Sequence, residues 1–517
     1  MKVFIRTDAS SATGLGHLRR CLSLAQALRQ LGAEVRLGVG ASDVDAAALA
    51  AAEGFAARTL APVPGGGADD AARFCALWPA QRPDWVVVDH YGLDATWQRA
   101  VRQAWHCQVA AVDDLADRPL AVDALIDPNF VADSGHRARY AAVLEQAPAA
   151  WLCGPRFALL GPAYAAAKAF RLAPAVRSIG IFLGGTDPAG LSPVVLRACR
   201  EVARFDGPVE IATSSGNPGL AALRAAVASD PGASLAVDLP DLAGFFARHD
   251  LQVGAGGGAA WERCCIGAPA LTLCIAANQL AVIPALVALG ATATATDNSA
   301  LAIGTALAGL IASPQRRAEL SRQGRALVDG RGAERVALAL AARVPAGLGL
   351  RPATRADARL LWLWRNDPAT RAVSRRGLEI APGEHERWLA DTLADPARVL
   401  AIGAVGARDV GVIRFDRLGD DAHEVSLYLD PALHGLGLGS ALLQAGEAAL
   451  IARNGRAEVR AEVLPGNPAS RRLFAGAGYS TEDGLHFSKR LAAAAGLARA
   501  PVAPFAPTGR AAGEKSA

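Results

Sequence analysis

The amino-acid sequence predicts an α/β protein with two Rossmann-like, doubly wound lobes, followed by an α+β domain of a different type. From residue 1 to about residue 345, short strand-like runs alternate with Ala- and Leu-rich helical stretches, which is the pattern of βαβ units in a parallel sheet. Each half of this region carries a glycine-rich run between a strand and a helix. Beyond residue 350, three strand-like runs follow one another without long helices between them, which favours antiparallel pairing.

The predicted elements of the first lobe, residues 1–155, establish the βαβ pattern. They are strands at 3–5, 35–39, 85–88 and 109–112, and a helix at 18–31. A segment rich in Gly and Pro, from 152 to 177, separates this lobe from the second, residues 156–345. The second lobe has predicted strands at 179–183, 209–212, 251–253 and 270–274, and a helix from Ala259.

The third domain is predicted to span residues 350–491. Its strands are expected at 399–404, 410–414 and 425–429, with a helix at 441–452. The last residues, 492–517, are rich in Ala, Pro and Gly and are expected to be disordered.

Composition limits the classes of function. The net charge of the 517 residues is only +4 and no block of like charges occurs, so nucleic acid is not indicated as a partner. The apolar run at the N-terminus is soon interrupted by charge, which favours a first strand over a signal peptide, and no other apolar run has membrane-spanning length. The eight cysteines are scattered and are expected to be reduced core residues. We therefore expect a cytoplasmic monomer or weak homodimer without membrane contact.

The first glycine loop is Thr13-Gly14-Leu15-Gly16-His17, between the first strand and the first helix. Glycines there let backbone approach a ligand and direct helix N–H groups at an anion or a polarised water. His17 is the candidate general base for a water, because imidazole titrates near neutrality. Asp8, at the end of the first strand, is the candidate to orient His17. Capping of the helix or packing at the turn is the alternative for His17.

The second glycine loop, Gly254-Ala-Gly256-Gly257-Gly258, leads directly into the next helix. It can hold a diphosphate, and Glu262, expected in the first helical turn, can accept the hydroxyls of a ribose. Complementing the helix dipole is the alternative for Glu262. Asn278 and Gln279 follow the next strand, where they could contact the sugar or the phosphates.

Six motifs in order carry a resemblance to a known family. They are Gly14-Leu-Gly-His17-Leu-Arg-Arg, Val88-Asp89-His90-Tyr91, Val112-Asp-Asp-Leu-Ala-Asp-Arg118, Gly184-Gly-Thr-Asp-Pro188, Trp261-Glu-Arg-Cys-Cys265 and Asn278-Gln279. Together they resemble the UDP-sugar hydrolase of pseudaminic acid biosynthesis, which acts on UDP-2,4-diacetamido-2,4,6-trideoxy-β-L-altropyranose and has the two-lobed fold of type B glycosyltransferases.

The resemblance implies a role for each matching residue. His17 would activate water, Tyr91 and Asn278 would contact the sugar, and Glu262 would contact the uridine ribose. The full set of predicted substrate contacts in this region is Gly14, Gly16, Tyr91, Gly185, Gly256, Gly257, Glu262, Asn278 and Gln279. Where the family usually has hydroxyl residues, this chain has Gly258 and Ala259, so backbone N–H groups must hold the phosphates.

No metal is expected. The pair Asp113-Asp114 could hold Mg²⁺ in principle, but carboxylates that follow a buried strand are more often loop or cap residues.

The third domain has its own glycine loop, His434-Gly-Leu-Gly-Leu-Gly-Ser440, between a strand and a helix. About thirty residues later, the run from Asn467 to Tyr479 has a helix followed by glycine and an aromatic residue. The two motifs resemble the GNAT superfamily of N-acetyltransferases, which implies acetyl-CoA as co-substrate. The implied cofactor contacts are Leu429, His434, Gly435, Leu436, Gly437, Leu438, Gly439, Ser440, Asn467 and Ser470.

The acid and base of this domain are less evident. Many members carry tyrosine where this chain has Phe474, so another residue protonates the thiolate or none does. Glu424 and His423, at the start of the strand before the loop, are the candidates for taking the proton from the amine, with surface charge as the alternative. Arg365 and Asn366 are the predicted acceptor contacts.

The segment around Arg365 and Asn366 resembles the acetyltransferase of the same pathway, which acts on UDP-4-amino-4,6-dideoxy-N-acetyl-β-L-altrosamine. Trp362 and Trp388 in this region could equally be packing residues.

The two resemblances imply consecutive reactions, because the product of the acetyltransferase would be the substrate of the hydrolase. Two other functions stay open from sequence. The first two lobes could transfer the sugar to an acceptor alcohol, and the third domain could be a module that binds acyl-CoA without catalysis.

Overall fold

The computed structural model describes residues 1–11, 14–61, 67–129, 135–167 and 170–492. The chain divides into two compact units, Met1–Ala337 and a second that begins at Leu338. Thr13 of the first glycine loop lies outside the described residues, as does the expected disordered tail from residue 493 onward.

The first lobe is a parallel sheet with helices in its crossovers. Its described strands are β1 Lys2–Thr7, β2 Glu34–Gly40, β3 Ala56–Leu60, β4 Trp85–Asp89, β5 Gln108–Val112, β6 Ala124–Asp127 and β7 Ala150–Cys153. The helices are α1 Gly16–Gln30, α2 Ala46–Ala52, α3 Gly67–Ala76, α4 Ala95–Trp105 and α5 His136–Tyr140. The strand order is β3-β2-β1-β4-β5-β6-β7, so the chain first winds outward from β1 in one direction and then from β4 in the other.

The second lobe repeats this arrangement. Its described strands are β8 Ile179–Phe182, β9 Val209–Thr213, β10 Ala233–Val237, β11 Leu251–Ala255 and β12 Ala270–Leu273. The helices are α6 Pro162–Ala166, α7 Ser192–Arg197, α8 Leu220–Ala228, α9 Ala243–Arg248, α10 Gly258–Ile266, α11 Val282–Ala288, α12 Ala300–Ala312, α13 Pro314–Leu327 and α14 Gly332–Ala341. The order β10-β9-β8-β11-β12 reverses between β8 and β11.

Apolar strand residues account for both lobes. Every residue of β4 is buried, and so is every residue of β11, as expected for central parallel strands covered by helices on both faces. The predicted strands of these lobes, and the predicted starts of α1 and α10, agree with the structure to within two residues.

The second unit has a mixed sheet. Its described strands are β13 Gly349–Pro352, β14 Arg398–Val405, β15 Arg408–Arg417, β16 Ala422–Leu429, β17 Arg456–Glu462, β18 Ser480–Thr481 and β19 His486–Ala492. The helices are α15 Ala358–Asn366, α16 Pro368–Ala372, α17 Pro382–Ala394, α18 Leu438–Asn454 and α19 Pro468–Gly476. β14, β15 and β16 are antiparallel neighbours, as predicted, whereas β16 and β17 pair in parallel. The predicted fold class is thereby confirmed: two parallel Rossmann-like lobes and a mixed-sheet domain.

Candidate active sites

The reversal of winding in the first sheet places two loops side by side. β1 and β4 are parallel neighbours, and their carboxyl ends lie at the same edge of the sheet. In doubly wound folds a crevice forms at this point, and ligands bind there. The loop after β1 leads into α1 with His17 in its first turn, and β4 ends at Asp89. The topology therefore brings these two side chains together.

His17 and Asp89 form a close pair. The distance between His17 Nδ1 and Asp89 Oδ1 is 2.6 Å, and Arg20 donates to both carboxylate oxygens at 2.5 and 2.6 Å. Burial by itself would raise the pKa of Asp89, but the charges and hydrogen bonds of Arg20 and His17 outweigh it and hold that pKa well below its usual range. Because an anionic carboxylate can only accept, we assign the shared proton to His17 Nδ1, which leaves Nε2 as an acceptor.

Tyr91 packs edge-on against the imidazole. The ring centroids of Tyr91 and His17 are 4.6 Å apart, and the phenol ring is partly open to solvent. Burial raises the pKa of Tyr91 well above its usual range, and the neighbouring carboxylate of Asp114 adds to the rise, so Tyr91 stays protonated. Arg20 Nη1 lies 3.8 Å from Asp114 Oδ2. One polar network therefore connects Asp114, Arg20, Asp89 and His17, with Tyr91 beside it.

The expectation that Asp8 orients His17 is wrong. The Asp8 carboxylate pairs with Arg6, accepts from the N–H of Gly40 at 2.6 Å, and lies 3.1 Å from His90 Nε2. His90 Nδ1 in turn accepts from a backbone N–H at 2.9 Å. Asp8 thus ties β1 to the end of β2 and to His90, and Asp89 holds the place beside His17.

The second lobe also has two loops side by side, because β8 and β11 are parallel neighbours whose carboxyl ends lie at the same edge of the sheet. The carbonyl of Gly185, after β8, accepts from the hydroxyl of Thr213 at 2.9 Å and from the N–H of Ser214 at 2.8 Å. After β11, the N–H of Gly256 donates to Gln279 Oε1 at 3.2 Å. The same oxygen accepts from the N–H of Ile275 at 3.0 Å. Gln279 therefore fixes the loops after β11 and β12.

The glycine loop has one closed side and one open side. A Cβ at Gly256 would lie 2.7 Å from Ile283 Cδ1, so this position admits no side chain. A Cβ at Gly258 would meet no atom within 4 Å, and one at Gly257 would meet only Gln279 Nε2 at 3.8 Å. The open side coincides with the start of α10, where helix N–H groups favour an anion.

The carboxyl-end loops of the two lobes lie near each other. A Cβ at Gly216, in the loop after β9, would lie 3.7 Å from Ser11 Cβ, in the loop after β1. Arg19 on α1 is close enough for its charge to act on the carboxyl of Glu262 on α10. The loops after β1 and β9, and the helices α1 and α10, are therefore close enough for both lobes to contact one ligand.

Glu262 lies one residue further along α10 than expected, which puts it in the second turn. The helix begins at Gly258, so Glu262 is in its second turn, and the prediction of a first-turn carboxylate is wrong. Burial raises the pKa of Glu262 to about 7, against a hydrogen bond with Tyr164 that lowers it. Glu262 Oε2 is inaccessible to solvent and has no hydrogen-bond partner among the described residues. Complementing the helix dipole does not explain this carboxyl. Asn278 is half-buried in the loop after β12, and the sugar contact expected of it stays a prediction.

In the second unit, two parallel strands separate beside a glycine loop. β16 pairs with β17 only from Ala422 to Glu424, and beyond Glu424 the two strands diverge. β16 ends at Leu429, before the loop that carries Gly435 and Gly437, both with φ above +80°. These glycines are exposed, and α18 begins directly after them. A wedge between strands thus opens towards a helix N-terminus.

The side chains of the loop divide into two groups. Leu436 and Leu438 are fully buried, so only their backbone can reach a ligand, whereas Gly435, Gly437 and Ser440 are exposed. His434 and Gly439 are half-buried between them.

Arg343 was not predicted and holds this loop. Its Nη1 donates to the carbonyl of Leu436 at 2.9 Å and to that of Ala339 at 2.7 Å. A Cβ at Gly437 would lie 3.0 Å from the guanidinium.

Other predicted residues of this unit have structural partners. Asn467 Oδ1 caps α19 by accepting from the N–H of Ser470 at 3.0 Å. The side chain of Asn366 bonds both backbone polar groups of Ile380, at 2.8 and 2.9 Å, and Arg365 donates to the carbonyl of Arg376 at 2.9 Å. These bonds shape the segment between α16 and α17, and the ligand contacts predicted for these residues stay predictions.

Glu424 stands where the strands separate. Arg375 Nη2 lies 2.5 Å from Glu424 Oε1 and 2.6 Å from Glu462 Oε2. His423 is buried, and burial lowers its pKa. The catalytic roles expected for Glu424 and His423 stay predictions, with Glu424 held in an ion pair with Arg375 and His423 buried. Phe474 packs against Tyr479 and Phe487 in the core.

All eight cysteines lie within the described ranges, and all are free thiols. Burial raises the pKa of Cys264 to about 12 and that of Cys265 to about 11. No group of three or more potential metal ligands is found in the described ranges. None of the helices that the structure describes has the length and apolarity needed to cross a membrane.

Fold and sites together define a fusion of a two-lobed, Rossmann-like unit with a mixed-sheet domain that has a strand wedge and a glycine loop. Residues 348–480 match the family described as the acetyltransferase (GNAT) domain, so the chain contains a GNAT domain. The N-terminal part is similar to the spore coat polysaccharide biosynthesis protein SpsG of Bacillus subtilis (strain 168). That similarity is 30% identity over 196 residues, which are 35% of this chain and 56%, about half, of the relative.

Solved structures that match parts of the chain include MurG of Acinetobacter baumannii, at 16% identity, covering 65% of this chain and 98% of that one, with a TM-score of 0.44. The UDP-GlcNAc 2-epimerase of Neisseria meningitidis, bound to UDP-GlcNAc, is 12% identical, covers 65% of this chain and 98% of that one, and gives a TM-score of 0.46. The spermidine N-acetyltransferase of Vibrio cholerae is 17% identical, covers 28% of this chain and 94% of that one, and gives a TM-score of 0.25.

Proposed function

We propose that the first unit hydrolyses a UDP-sugar to the free sugar and UDP. The observation that carries this proposal is the His17–Asp89 pair, which shares a crevice with the open glycine loop before α10. A base that is oriented by a buried carboxylate can activate water, and a glycine loop at a helix N-terminus favours a diphosphate. Similarity to a polysaccharide biosynthesis protein supports a sugar substrate.

The hydrolytic step follows from the proton positions. His17 Nε2 accepts a proton from water, whose oxygen bonds to the anomeric carbon of the sugar. Throughout this step the Nδ1–H of His17 donates its hydrogen bond to Asp89. The bond between that carbon and the diphosphate oxygen breaks, and its electron pair leaves with UDP. Backbone N–H groups of Gly257 and Gly258 stabilise the new negative charge. Tyr91 and Asn278 contact the sugar, and Glu262 accepts from the ribose hydroxyls.

The second unit acetylates the amino group of a UDP-amino sugar. Its residues fit acetyl-CoA, because the exposed backbone of Gly435 and Gly437 suits a pyrophosphate and the wedge beyond Glu424 suits an extended arm. When bound, acetyl-CoA supplies an acetyl thioester. Glu424 accepts the proton that the amine loses as its nitrogen bonds to the acetyl carbon. Phe474 has no proton to give, and a thiol with a pKa of about 8.5 leaves as thiolate without help.

The two activities are consecutive. Acetylation of UDP-4-amino-4,6-dideoxy-N-acetyl-β-L-altrosamine gives UDP-2,4-diacetamido-2,4,6-trideoxy-β-L-altropyranose, and hydrolysis of that product gives the free sugar for pseudaminic acid biosynthesis. We place the enzyme in the cytoplasm, a reducing compartment in which its eight free thiols would persist.

Incubating the purified chain with the UDP-4-amino sugar, with and without acetyl-CoA, tests the proposal. We expect release of CoA and UDP in equal amounts when acetyl-CoA is present, and little UDP without it. UDP release that requires an added acceptor alcohol would instead establish a glycosyltransferase. Failure to acetylate the amino sugar would reduce the second unit to a module that binds acyl-CoA.

Replacing Gly437 by alanine should weaken CoA binding by about tenfold. Alanine at this position would have to adopt a φ of +84°, which disfavours any residue with a Cβ. Its Cβ would also displace the Arg343 guanidinium that holds the loop. Isothermal titration with CoA measures the change. Gly455→Ala is the matched control. Gly437 precedes α18 and Gly455 follows it, with a φ of +75° and open space around it. Equal CoA affinities for the two variants would contradict the proposed role of the loop.

Uridine affinity should rise by up to about tenfold between pH 6 and pH 8. The free protein has a Glu262 pKa of about 7, and ribose hydroxyls that donate to the carboxylate favour its ionised form. Binding therefore releases a proton and strengthens as the pH rises. Uridine itself does not change charge in this range, unlike UDP. Titration at several pH values measures the effect, and a Glu262→Gln variant with the same pH dependence would exclude Glu262 as its source.

A further inference from the structure

Arg263 lies between α10 and the second sheet, directly below the glycine loop. Its side chain is 1% exposed, and its Nη2 donates to the carbonyl of Ala255, the last residue of β11, at 2.8 Å. Thr272 Oγ1 is a second, longer contact at 3.4 Å. A Cβ at Gly254 would lie 2.3 Å from Arg263 Nη1. Gly254 is therefore a strand residue that makes room for the guanidinium, not part of the ligand-binding loop.

Within the described part of the chain the Arg263 guanidinium has no ion pair. Its Cζ lies 5.8 Å from the centroid of the Phe246 ring, and the charge of the Glu262 carboxyl acts on it. Arg263 Nε and Nη1 are buried and have no hydrogen-bond acceptor among the described residues. Burial lowers the pKa of Arg263 to about 10, so the group is still charged at neutral pH. The adjacent cavity, of about 10 Å³, has room for a single water at most. Buried charges are normally paired, so an unpaired cation at this place requires an explanation.

Arg317, a second buried arginine of the same lobe, has the backbone acceptors that a buried guanidinium normally has. Arg317 is 0% exposed, and its guanidinium donates to four backbone carbonyls. They belong to Leu310, Ile311, Ala173 and Pro174. Arg317 Nε, like Arg263 Nε, has no acceptor among the described residues, but both terminal nitrogens of Arg317 are bonded and close the end of α12. Arg263 Nη1 has no such bond, and Arg263 lies below a loop that is open to a ligand.

We propose that Arg263 is a positioning residue for the diphosphate of the nucleotide. Its guanidinium balances the negative charge of the diphosphate from below the loop Gly256–Gly258, and its bond to Ala255 fixes the start of that loop. This inference rests on the proposed nucleotide site. The negative diphosphate above the loop and the cation below it attract each other across a region from which water is excluded, where such attraction is strong. Uridine has no phosphate, so Arg263 affects its binding only through the pKa of Glu262, which the guanidinium lowers.

Binding of uridine and UDP to the full chain tests this role. We expect Arg263→Met to weaken UDP binding by at least about tenfold more than it weakens uridine binding, because both nucleotides share any change in the pKa of Glu262. Arg263→Lys, which keeps a charge, should retain part of the UDP affinity. Arg317→Met is the matched control, and we expect it to lower the Tm without changing the ratio of the two affinities. Calorimetric titration and thermal unfolding give these quantities.

Equal losses of uridine and UDP affinity in Arg263→Met would overturn the inference, because they would show a structural role alone. Unchanged UDP affinity in a folded variant would overturn it as well. If Arg263→Met does not fold, Arg263→Lys and Arg263→Gln replace it, and equal UDP affinities for these two variants would count against the charge. Absence of UDP binding to the wild-type chain would contradict the proposed function instead.

Discussion

Replacing His17 by phenylalanine should slow UDP release from a UDP-sugar by at least about a hundredfold, while binding of the UDP-sugar changes by less than about threefold. Phenylalanine keeps a ring that can pack against Tyr91, whose centroid lies 4.6 Å from that of the imidazole, but it has no nitrogen to accept a proton. The uridine and diphosphate contacts lie in the second lobe and are unaffected. Steady-state release of UDP and titration with a UDP-sugar under slow-turnover conditions measure the two effects.

His90→Phe is the matched control for this variant. His90 follows the same strand, but its Nδ1 accepts from Gly92 and its Nε2 faces Asp8, so it has no nitrogen free for water. We expect its rate of UDP release to stay within about tenfold of wild type. Turnover retained by His17→Phe would remove His17 from the mechanism.

Replacing Asp89 by asparagine should have two effects. UDP release should fall by about a hundredfold to ten-thousandfold, because a neutral amide no longer fixes the Nδ1 proton of His17 or stabilises the imidazolium. The free energy of unfolding should fall by about 3–5 kcal/mol, because the partly buried Arg20 loses the carboxylate that it contacts at 2.5 Å. Initial rates and urea denaturation measure the two changes.

The double variant Asp89→Asn with Arg20→Met separates these effects. Removing the unpaired guanidinium should restore part of the stability but none of the activity. The pH dependence gives an independent check. The pKa of Asp89 is lowered in the folded state, so its stabilisation is complete above the usual carboxyl pKa and is lost as the pH falls below it. The wild-type protein should therefore lose more stability in acid than Asp89→Asn does, and parallel profiles would contradict the buried ion pair.

Alternation of strands and helices was sufficient to predict the fold, because parallel sheets bury near-continuous apolar runs. The partner of His17 could not be predicted in the same way. Asp8 and Asp89 both end buried strands, and which of them faces His17 depends on the strand order and on the details of each loop. Arg20 carried a weak signal, because it lies one turn after His17 on the same helix.

The roles of the individual glycines in the second glycine loop could not be predicted from the sequence. Composition does not distinguish glycines that face a ligand from glycines that make room for a side chain, and Gly254 belongs to the second kind. Helix boundaries are uncertain by a residue or two, and a start one residue earlier than expected was enough to move Glu262 from the first turn to the second. Arg343 lies before residues 348–480, the part that matches the GNAT family, so no motif of that family indicated it.

The most direct test of the account is hydrolysis of the UDP-sugar in water labelled with heavy oxygen, followed by mass spectrometry of both products. If His17 directs water to the anomeric carbon, the label must appear in the hydroxyl of the free sugar and be absent from UDP. Label in the terminal phosphate of UDP would mean that water attacks phosphorus, and it would contradict the mechanism proposed for the crevice.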